Sequence, residues 1–215
     1  MEKCVIEHIK DKCSKKPSAY HHGNLKEELL KQSVEIIQSE GIDALTLQVL
    51  ASRLGTSRSA IYRHFSSKND LLHNVMLFGF DMFDEVITPI FLMKEESVTQ
   101  RFYLMGQAYI NFAVEHPNLY RMLFGEKFQD IREESCDIED EEQAKGFHAL
   151  VALLVEGQET NQFQKQDPML QAQTIHALVH GLASLYIDGH IHIKDNLDDL
   201  YEITFKTITQ GLLAN

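Results

Sequence analysis

The chain is predicted to fold as an all-α protein with two parts, a small N-terminal unit of three helices and a larger helical body. Apolar residues recur at intervals of three and four along most of its 215 residues. No segment shows the alternation of apolar and polar residues that is typical of a half-buried β-strand. Ser, Thr, Asp and Asn residues precede several of the periodic segments, where a helix N-cap is preferred.

The first helix is expected at residues 25–40. Asn24 is placed to cap its N-terminus, with Glu27 at the capping-box position, and Gly41 is placed to end it. The stripe predicted to face the core consists of Leu25, Leu29, Ser33, Ile36 and Ile37.

Two short helices joined by a tight turn are expected next, followed by the capped start of a longer helix. Thr46 and Ser57 are the expected N-caps of the two short helices, and Gly55 can adopt the left-handed backbone of the turn. On the second short helix Ile61 and Phe65 point to one side. The other side carries arginines, a hydroxyl and a tyrosine, a composition that suits a DNA major groove. This pattern predicts a helix-turn-helix whose second helix reads DNA.

The segments SEGIDALTLQVLASRLGTS and AIYRHFSSKNDLL resemble the DNA-binding domain of the TetR family of bacterial one-component transcription regulators, over about residues 20–80. HPNLYRMLFG, residues 116–125, and HGLASLYIDGH, residues 180–190, resemble a subgroup whose C-terminal domain is named for a Trp-His-Gly signature. This chain has His180-Gly181 but no tryptophan. The resemblance implies a dimeric, ligand-responsive regulator, most often a repressor.

DNA contacts are assigned by side-chain chemistry and by the family pattern. Arg58, Ser59 and Arg63 can reach base edges or nearby phosphates. The family pattern implies that Tyr62, His64 and Lys68 touch the backbone, and a helix N-terminus with an ammonium group suits a phosphate. The alternative is an ordinary polar surface with Tyr62 half-buried. The predicted DNA-binding residues are Thr46, Ser57, Arg58, Ser59, Tyr62, Arg63, His64 and Lys68.

The charge distribution agrees with this division. The formal net charge is −12, but residues 1–70 carry 11 Lys+Arg and 9 Asp+Glu, a net charge of +2, whereas residues 71–215 carry 9 and 23. We therefore divide the chain into a flexible N-terminal arm at residues 1–19, a DNA-binding domain at 20–67 and an effector-binding and dimerisation domain at 68–215.

The larger part also reads as helical throughout. A connector helix is expected at residues 68–86, capped by Ser67 with Asp70 at the capping-box position and broken at Thr88-Pro89. The acidic run at 133–142 reads as a solvated loop or helix lead-in. Further helices are expected at residues 98–115, 117–125, 143–163, 168–187 and 197–213, the last capped by Asn196.

A single reader helix covers few base pairs, so a homodimer on a palindromic double-stranded DNA operator is expected. The resemblance implies a four-helix interface from the last two helices. Its candidate residues are Leu178, Leu182, Leu185 and Tyr186 on one helix and Tyr201, Phe205, Ile208 and Leu212 on the other.

The remaining helices are candidates to enclose a small-molecule effector of unknown identity. Aromatic, methionine and imidazole side chains cluster there, although ordinary core packing explains the same pattern. The candidate ligand-binding residues are Phe102, Tyr103, Met105, Tyr109, Phe112, His148, His176 and His180.

Other functions find little support in the sequence. His176 and His180 stand at metal-compatible spacing, but no further ligand completes a site, so neither a metal nor a cofactor is predicted. Cys4, Cys13 and Cys136 are expected to be free thiols, and no nucleotide-binding loop or nucleophile elbow indicates an enzyme. No membrane span or signal peptide is recognisable, which favours a cytoplasmic protein. The alternative function is a helical partner-binding protein without specific DNA recognition.

Overall fold

The computed structural model describes residues 25–125, 145–191 and 197–212. The N-terminal arm, the caps at Asn24 and Asn196, the acidic run and all three cysteines lie outside these residues. The described residues form helices without a β-strand, which confirms the all-α prediction. The helices are α1 (Leu25–Glu40), α2 (Leu47–Arg53), α3 (Arg58–Ile61), α4 (Lys68–Phe91), α5 (Val98–Glu115), α6 (Pro117–Phe124), α7 (Lys145–Glu159), α8 (Pro168–Ile187) and α9 (Leu197–Leu212).

Local side-chain caps define the N-terminal unit. Thr46 Oγ1 accepts a hydrogen bond from the Val49 N–H at 3.1 Å, and Ser57 Oγ accepts one from the Ala60 N–H at 3.2 Å. Gly55, between α2 and α3, has a φ of +59°, the left-handed backbone that the turn requires. These contacts confirm the predicted caps and turn, and they set the direction in which α3 leaves α2.

The connector helix α4 is longer than predicted. It begins at Lys68, where Ser67 caps it, but it continues through Pro89 and ends at Phe91. The expected break at Thr88-Pro89 is therefore wrong. Pro89 lies on the exposed side of the helix and within its last turn, so the missing N–H removes one hydrogen bond without disturbing the buried face.

The helix α7 is shorter than predicted, because the chain turns back after Glu159. The N–H groups of Gln162 and Phe163 both donate to the Gly157 carbonyl, at 2.8 and 2.9 Å. This turn places the Phe163 ring, which is 1% exposed, against the ring of Phe102 with the centroids 5.9 Å apart. Burial of this aromatic side chain offsets the loss of the last helical turn.

The three-helix unit and the larger body are packed together through α1, α4 and α6. The Gln38 amide on α1 is hydrogen-bonded to His116 Nδ1 at 2.8 Å, and the Asn118 amide of α6 donates to the Gln38 carbonyl at 3.2 Å. Helix α6 also approaches α4 closely, because a Cβ on Gly79 would lie 2.9 Å from Leu123 Cδ2. Helix α1 of the three-helix unit therefore contacts two helices of the larger body, α4 and α6.

A buried ion pair ties α5 to α7. The Arg101 side chain is 2% exposed, donates to the Phe91 carbonyl at 3.0 Å and pairs with both oxygens of Glu156. Lys94, whose side chain is 55% exposed, contacts the same carboxylate at 2.7 Å. Hydrogen bonds from Arg101 and then from Lys94 lower the pKa of Glu156 to about 2.

The Glu156→Gln substitution should destabilise the fold, because it leaves the Arg101 guanidinium buried without a counter-charge. We expect a loss of about 3 kcal/mol in the free energy of unfolding measured by urea denaturation. Lys94→Gln is the matched control and should cost less than about 1 kcal/mol, since Lys94 is exposed. The difference between wild type and Glu156→Gln should be full above the ordinary Glu pKa of 4.5 and fade as the pH falls towards 2. Equal losses in both variants would contradict this assignment.

Candidate nucleic-acid interface and internal cavity

All eight predicted DNA-binding side chains are exposed, on one end of the molecule formed by α2, α3 and the start of α4. Beneath them Ala60, Ile61 and Phe65 are buried in the three-helix unit. Only Arg58–Ile61 is α-helical, and tighter hydrogen-bonded turns carry the chain on to Phe65. Tyr62 is 54% exposed, so its ring is available to a partner.

Two of the hydroxyls on this face already serve as helix caps. Thr46 caps α2 and Ser57 caps α3, where Ser57 Oγ also lies 2.8 Å from Ser59 Oγ. A capping hydroxyl accepts from the backbone and keeps its own proton for donation. Thr46 can therefore hold a helix start and donate to a phosphate at once, and Ser57 can do the same when Ser59 donates the hydrogen bond between the two serine hydroxyls.

The start of α4 presents a cation beside the reader helix. Lys68 is the first residue of α4, and Ser67 caps this turn through the Asp70 N–H at 3.0 Å. The Asp70 carboxylate turns away towards Ser66, whose backbone N–H donates to it at 2.6 Å and lowers the pKa of Asp70. The acid nearest to Lys68 in sequence is thus engaged locally.

Lys26 is a positive residue near this face that the sequence did not indicate. Its Nζ lies 5.7 Å from the centre of the Phe65 ring, at the end of the reader segment. The contact depends on how α1 packs across α3 and α4. No local pattern around Lys26 could have revealed it.

The larger body encloses a cavity of about 500 Å³ between α4 and the five helices that follow. Four of the predicted ligand-binding residues lie in its wall: Phe102, Met105, Tyr109 and His176. The wall also contains residues that were not predicted to bind a ligand, and they come from every helix around the cavity: Phe80, Phe83, Asp84, Ile87, Gly106, Leu123, Phe124, Gly146, Phe147, Leu150, Gln173, Ile175, Val179, Tyr201, Phe205 and Ile208.

The other four predicted ligand-binding residues lie elsewhere. Tyr103 lies between α5 and α9 and donates to Glu202 Oε1 at 2.6 Å, and this hydrogen bond raises the pKa of Tyr103 to about 12. Phe112 packs edge-on against Phe83 with the ring centres 5.2 Å apart. His148 is exposed, and His180 lies behind the wall in a polar network.

Three of the four residues predicted for the dimer face on α9 point towards the body instead, and the side chain of the fourth, Leu212, lies outside the described residues. Tyr201, Phe205 and Ile208 line the cavity, and Tyr201 is only 4% exposed. Phe205 and Ile208 are half-buried, and with Tyr201 they close one side of the cavity. Ile203, which lies on another face of α9, is 63% exposed. On α8 the predicted Leu178 and Leu185 are 51% and 47% exposed, whereas Leu182 and Tyr186 are half-buried.

Two tyrosines and two histidines form a hydrogen-bonded network at the cavity wall, in which Tyr109 and His176 line the cavity and Tyr120 and His180 lie behind them. The Tyr109 hydroxyl is hydrogen-bonded to the Tyr120 hydroxyl at 2.9 Å and to His176 Nε2 at 3.2 Å. Tyr120 is hydrogen-bonded to His180 Nδ1 at 2.7 Å. Burial raises the pKa of both tyrosines and lowers the pKa of both histidines, which favours the neutral form of each group.

Asp84 is an acidic side chain in the cavity wall. It is 7% exposed, and its Oδ1 accepts a hydrogen bond from the Gly146 N–H at 2.8 Å, at the start of α7. Burial raises the pKa of Asp84, while the bond from Gly146 opposes this effect. The described residues contain no group of three or more potential metal ligands. None of the helices in the described part is long and apolar enough to cross a membrane.

Two family models match the chain. The model described as "Bacterial regulatory proteins, tetR family" matches residues 29–75, which include α2 and α3. The model described as "Tetracyclin repressor-like, C-terminal domain" matches residues 102–208, which include most of the cavity wall.

Curated relatives include the nucleoid occlusion factor SlmA of Vibrio cholerae serotype O1, which is 34% identical over 103 residues, 47% of this chain and 52% of that protein. SlmA of Vibrio vulnificus is 32% identical over the same shares of the two chains. The chain thus spans about half the length of the curated relatives it matches.

Solved structures share the fold over most of the chain. A Rhodococcus sp. RHA1 protein of unknown function has a TM-score of 0.76 at 24% identity, covering 91% of this chain and 99% of its own. The fatty acid degradation regulator FadR from Bacillus halodurans has a TM-score of 0.69 at 17% identity, covering 88% and 97%. These identities establish the fold alone. With both family models matched and the fold shared, the chain belongs to the TetR family of bacterial DNA-binding transcriptional regulators.

Proposed function

We propose that this protein is a dimeric repressor that binds a palindromic operator and releases it when a small molecule occupies the cavity. The observation that carries the proposal is the course of α4. This helix starts at Lys68 beside the reader and contributes Phe80, Phe83, Asp84 and Ile87 to the cavity wall. One rigid element thus belongs to both candidate sites.

DNA recognition is assigned to the exposed end of the three-helix unit. Arg58, Ser59 and Arg63 contact base edges, because the arginine fork matches the acceptors of guanine. The phosphate backbone is held by Tyr62, His64, Lys68 and Thr46, with the Ser57 hydroxyl and Lys26 beside them. Three exposed cations in this short segment support a salt-dependent interaction with duplex DNA.

Dimerisation is assigned to the outer faces of α8 and α9. Leu178 and Leu185 stand seven residues apart on α8, so they share one face, and both are about half exposed. Ile203 adds a large exposed apolar side chain on α9. Large exposed apolar side chains grouped on neighbouring elements are typical of an interaction surface. Two copies of this surface support an isologous four-helix interface.

Coupling between the cavity and DNA follows two helices. Helix α4 leads directly to the reader, and α6 contributes Leu123 and Phe124 to the cavity wall while Asn118 contacts Gln38 on α1. A ligand that changes the packing of α4 or α6 therefore changes the position of the three-helix unit. The ligand alters DNA affinity only to the extent that it prefers one of these arrangements.

Selection of binding sites from random duplex DNA with the purified protein tests this function. The proposal predicts an enriched palindrome with half-sites about one helical turn apart. Absence of enrichment, with weak salt-labile binding only, would favour the alternative of a helical partner-binding protein without specific DNA recognition.

Substitutions in the reader should separate base contacts from phosphate contacts. Arg63→Ala should weaken binding to the selected palindrome by about 1–3 kcal/mol per half-site and relax its sequence preference. Lys68→Ala should weaken binding to all sequences alike and lower the salt dependence by about one ion per half-site. Both effects are measurable by fluorescence anisotropy with labelled duplexes over a series of salt concentrations.

Lys165→Ala is the matched control for the loss of a lysine charge. Lys165 is exposed in the loop before α8 and lies outside the three-helix unit. This variant should bind the palindrome as the wild type does. A loss of affinity in Lys165→Ala equal to that in Lys68→Ala would show that only overall charge matters.

Filling the cavity with a larger side chain should weaken the binding of apolar ligands. The chain has no tryptophan, so Leu150→Trp both occupies the cavity and introduces a single tryptophan whose fluorescence can be followed. Wild type should bind the neutral dye Nile red with enhanced dye fluorescence, and Leu150→Trp should bind it about tenfold more weakly or worse. Leu92→Trp, at a 62% exposed position outside the wall, is the control and should bind the dye as the wild type does.

A further inference from the structure

Only one of the two carboxylate oxygens of Asp84 has a hydrogen-bond partner in the fold. Its Oδ1 accepts the Gly146 N–H at 2.8 Å and thereby caps the first turn of α7. Its Oδ2 is buried and accepts no hydrogen bond. A buried polar atom without a partner costs free energy, and native proteins rarely retain one without a reason. Asp84 is a wall residue of the cavity, but Oδ2 has almost no accessible surface in the structure, so a ligand in the cavity reaches this unpartnered oxygen through a small shift of the side chain.

The surroundings of Asp84 supply no compensating positive charge within the cavity. Among the wall residues that the structure describes there is no lysine or arginine, and the pKa of His176 is lowered by burial. Lys145 is the nearest cation in sequence to Gly146, but it is half-exposed and lies 3.9 Å from Asp81 on the outer side of α4. Lys145 lowers the pKa of Asp84 and Asp81 raises it, but burial and the Gly146 hydrogen bond have larger effects, and the Lys145 charge is partly screened by solvent.

The rest of the wall is apolar and rich in aromatic rings. Phe83 lies next to Asp84 in sequence, and its ring contacts the rings of Tyr109 and Phe124 at centroid distances of 5.2 and 5.7 Å. The faces of aromatic rings carry partial negative charge and attract cations. An apolar chain can pack against these rings while a positive head group lies near the carboxylate.

These features discriminate between ligand classes. An anionic ligand would place a second negative charge near Asp84 without a cation in the described wall to balance it. A purely apolar ligand would displace water and leave Oδ2 without a partner. An ammonium group satisfies Oδ2 and offsets the cost of burying the carboxylate, a cost that is visible in the raised pKa of Asp84.

We propose that the cavity binds an apolar amine whose ammonium group donates a hydrogen bond to Asp84 Oδ2 while its hydrocarbon part packs against Phe83 and the neighbouring rings. This assignment rests on the proposed function insofar as it takes the cavity to be the effector site. It adds the chemical class of the effector and the residue that selects it.

Calorimetric titration of the full chain with three probes of equal chain length tests the proposal. Decylamine, decanol and decanoate differ only in the head group. Decylamine should bind about tenfold or more tightly than decanoate, with decanol between them, because the alcohol can also donate a hydrogen bond to the carboxylate but only the amine brings a positive charge. Equal or tighter binding of decanoate, or binding of none of the three, would overturn the proposal.

Two variants locate the selectivity. Asp84→Asn keeps an oxygen for the Gly146 N–H but removes the negative charge, so the preference for decylamine over decanol should disappear. Asp81→Asn is the matched control, because Asp81 lies three residues earlier on α4 with its side chain 65% exposed, and it should keep the preference. Retention of the preference in Asp84→Asn would contradict the assignment. If Asp84→Asn does not fold, the ranking of the three probes in the unaltered chain decides.

Measurement of DNA affinity in the presence of decylamine separates this inference from the proposed function. If decylamine binds with the Asp84 dependence but does not change the affinity for the selected palindrome, the ligand assignment stands and the regulatory role of the cavity fails. If the palindrome is bound and decylamine is not, the ligand assignment fails and DNA recognition stands.

Discussion

The uninterrupted helix α4 is the element on which the arrangement of both sites depends. Its first turn, capped by Ser67, lies beside the reader, and its middle supplies Phe83 and Asp84 to the cavity. Leu71, Leu72 and Val75 are buried where α4 contacts α1, so the N-terminal part of α4 belongs to the core of the three-helix unit. Helix α4 thus joins the reader to the cavity wall without a break, and this continuity is the structural basis of the proposed coupling.

The described helices could be predicted well where local chemistry decides their ends. Caps at Thr46, Ser57 and Ser67 and the left-handed turn at Gly55 depend on neighbouring residues alone, so the sequence is sufficient. The helix break predicted at Pro89 was wrong because a proline is tolerated near a helix end on an exposed face. Whether a face is exposed depends on tertiary packing, which the local sequence does not show. The end of α7 depended on the burial of a distant aromatic ring and was missed for the same reason.

The cavity could be predicted only in part, because a cavity wall and a packed core require the same side chains. Phe102 and Phe112 both lie on the inner side of α5, yet Phe102 lines the cavity and Phe112 packs against Phe83. The stripe of α9 was expected at the dimer interface because periodicity shows that a face is buried, not what covers it. Asp84 could not be predicted as a ligand-binding residue from the sequence. Its burial and its unpartnered Oδ2 follow from the packing of α4 against α7.

Control of the reader by the cavity is tested most directly by measuring the distance between the two readers of the proposed dimer. A spin label on Glu35→Cys, an exposed position on α1, would report this distance by pulsed electron spin resonance once the three natural cysteines are replaced by serine. If the cavity controls the reader, the label separations should differ between the dimer bound to its operator and the dimer saturated with decylamine. Identical separations in the two states would contradict control of the reader by the cavity.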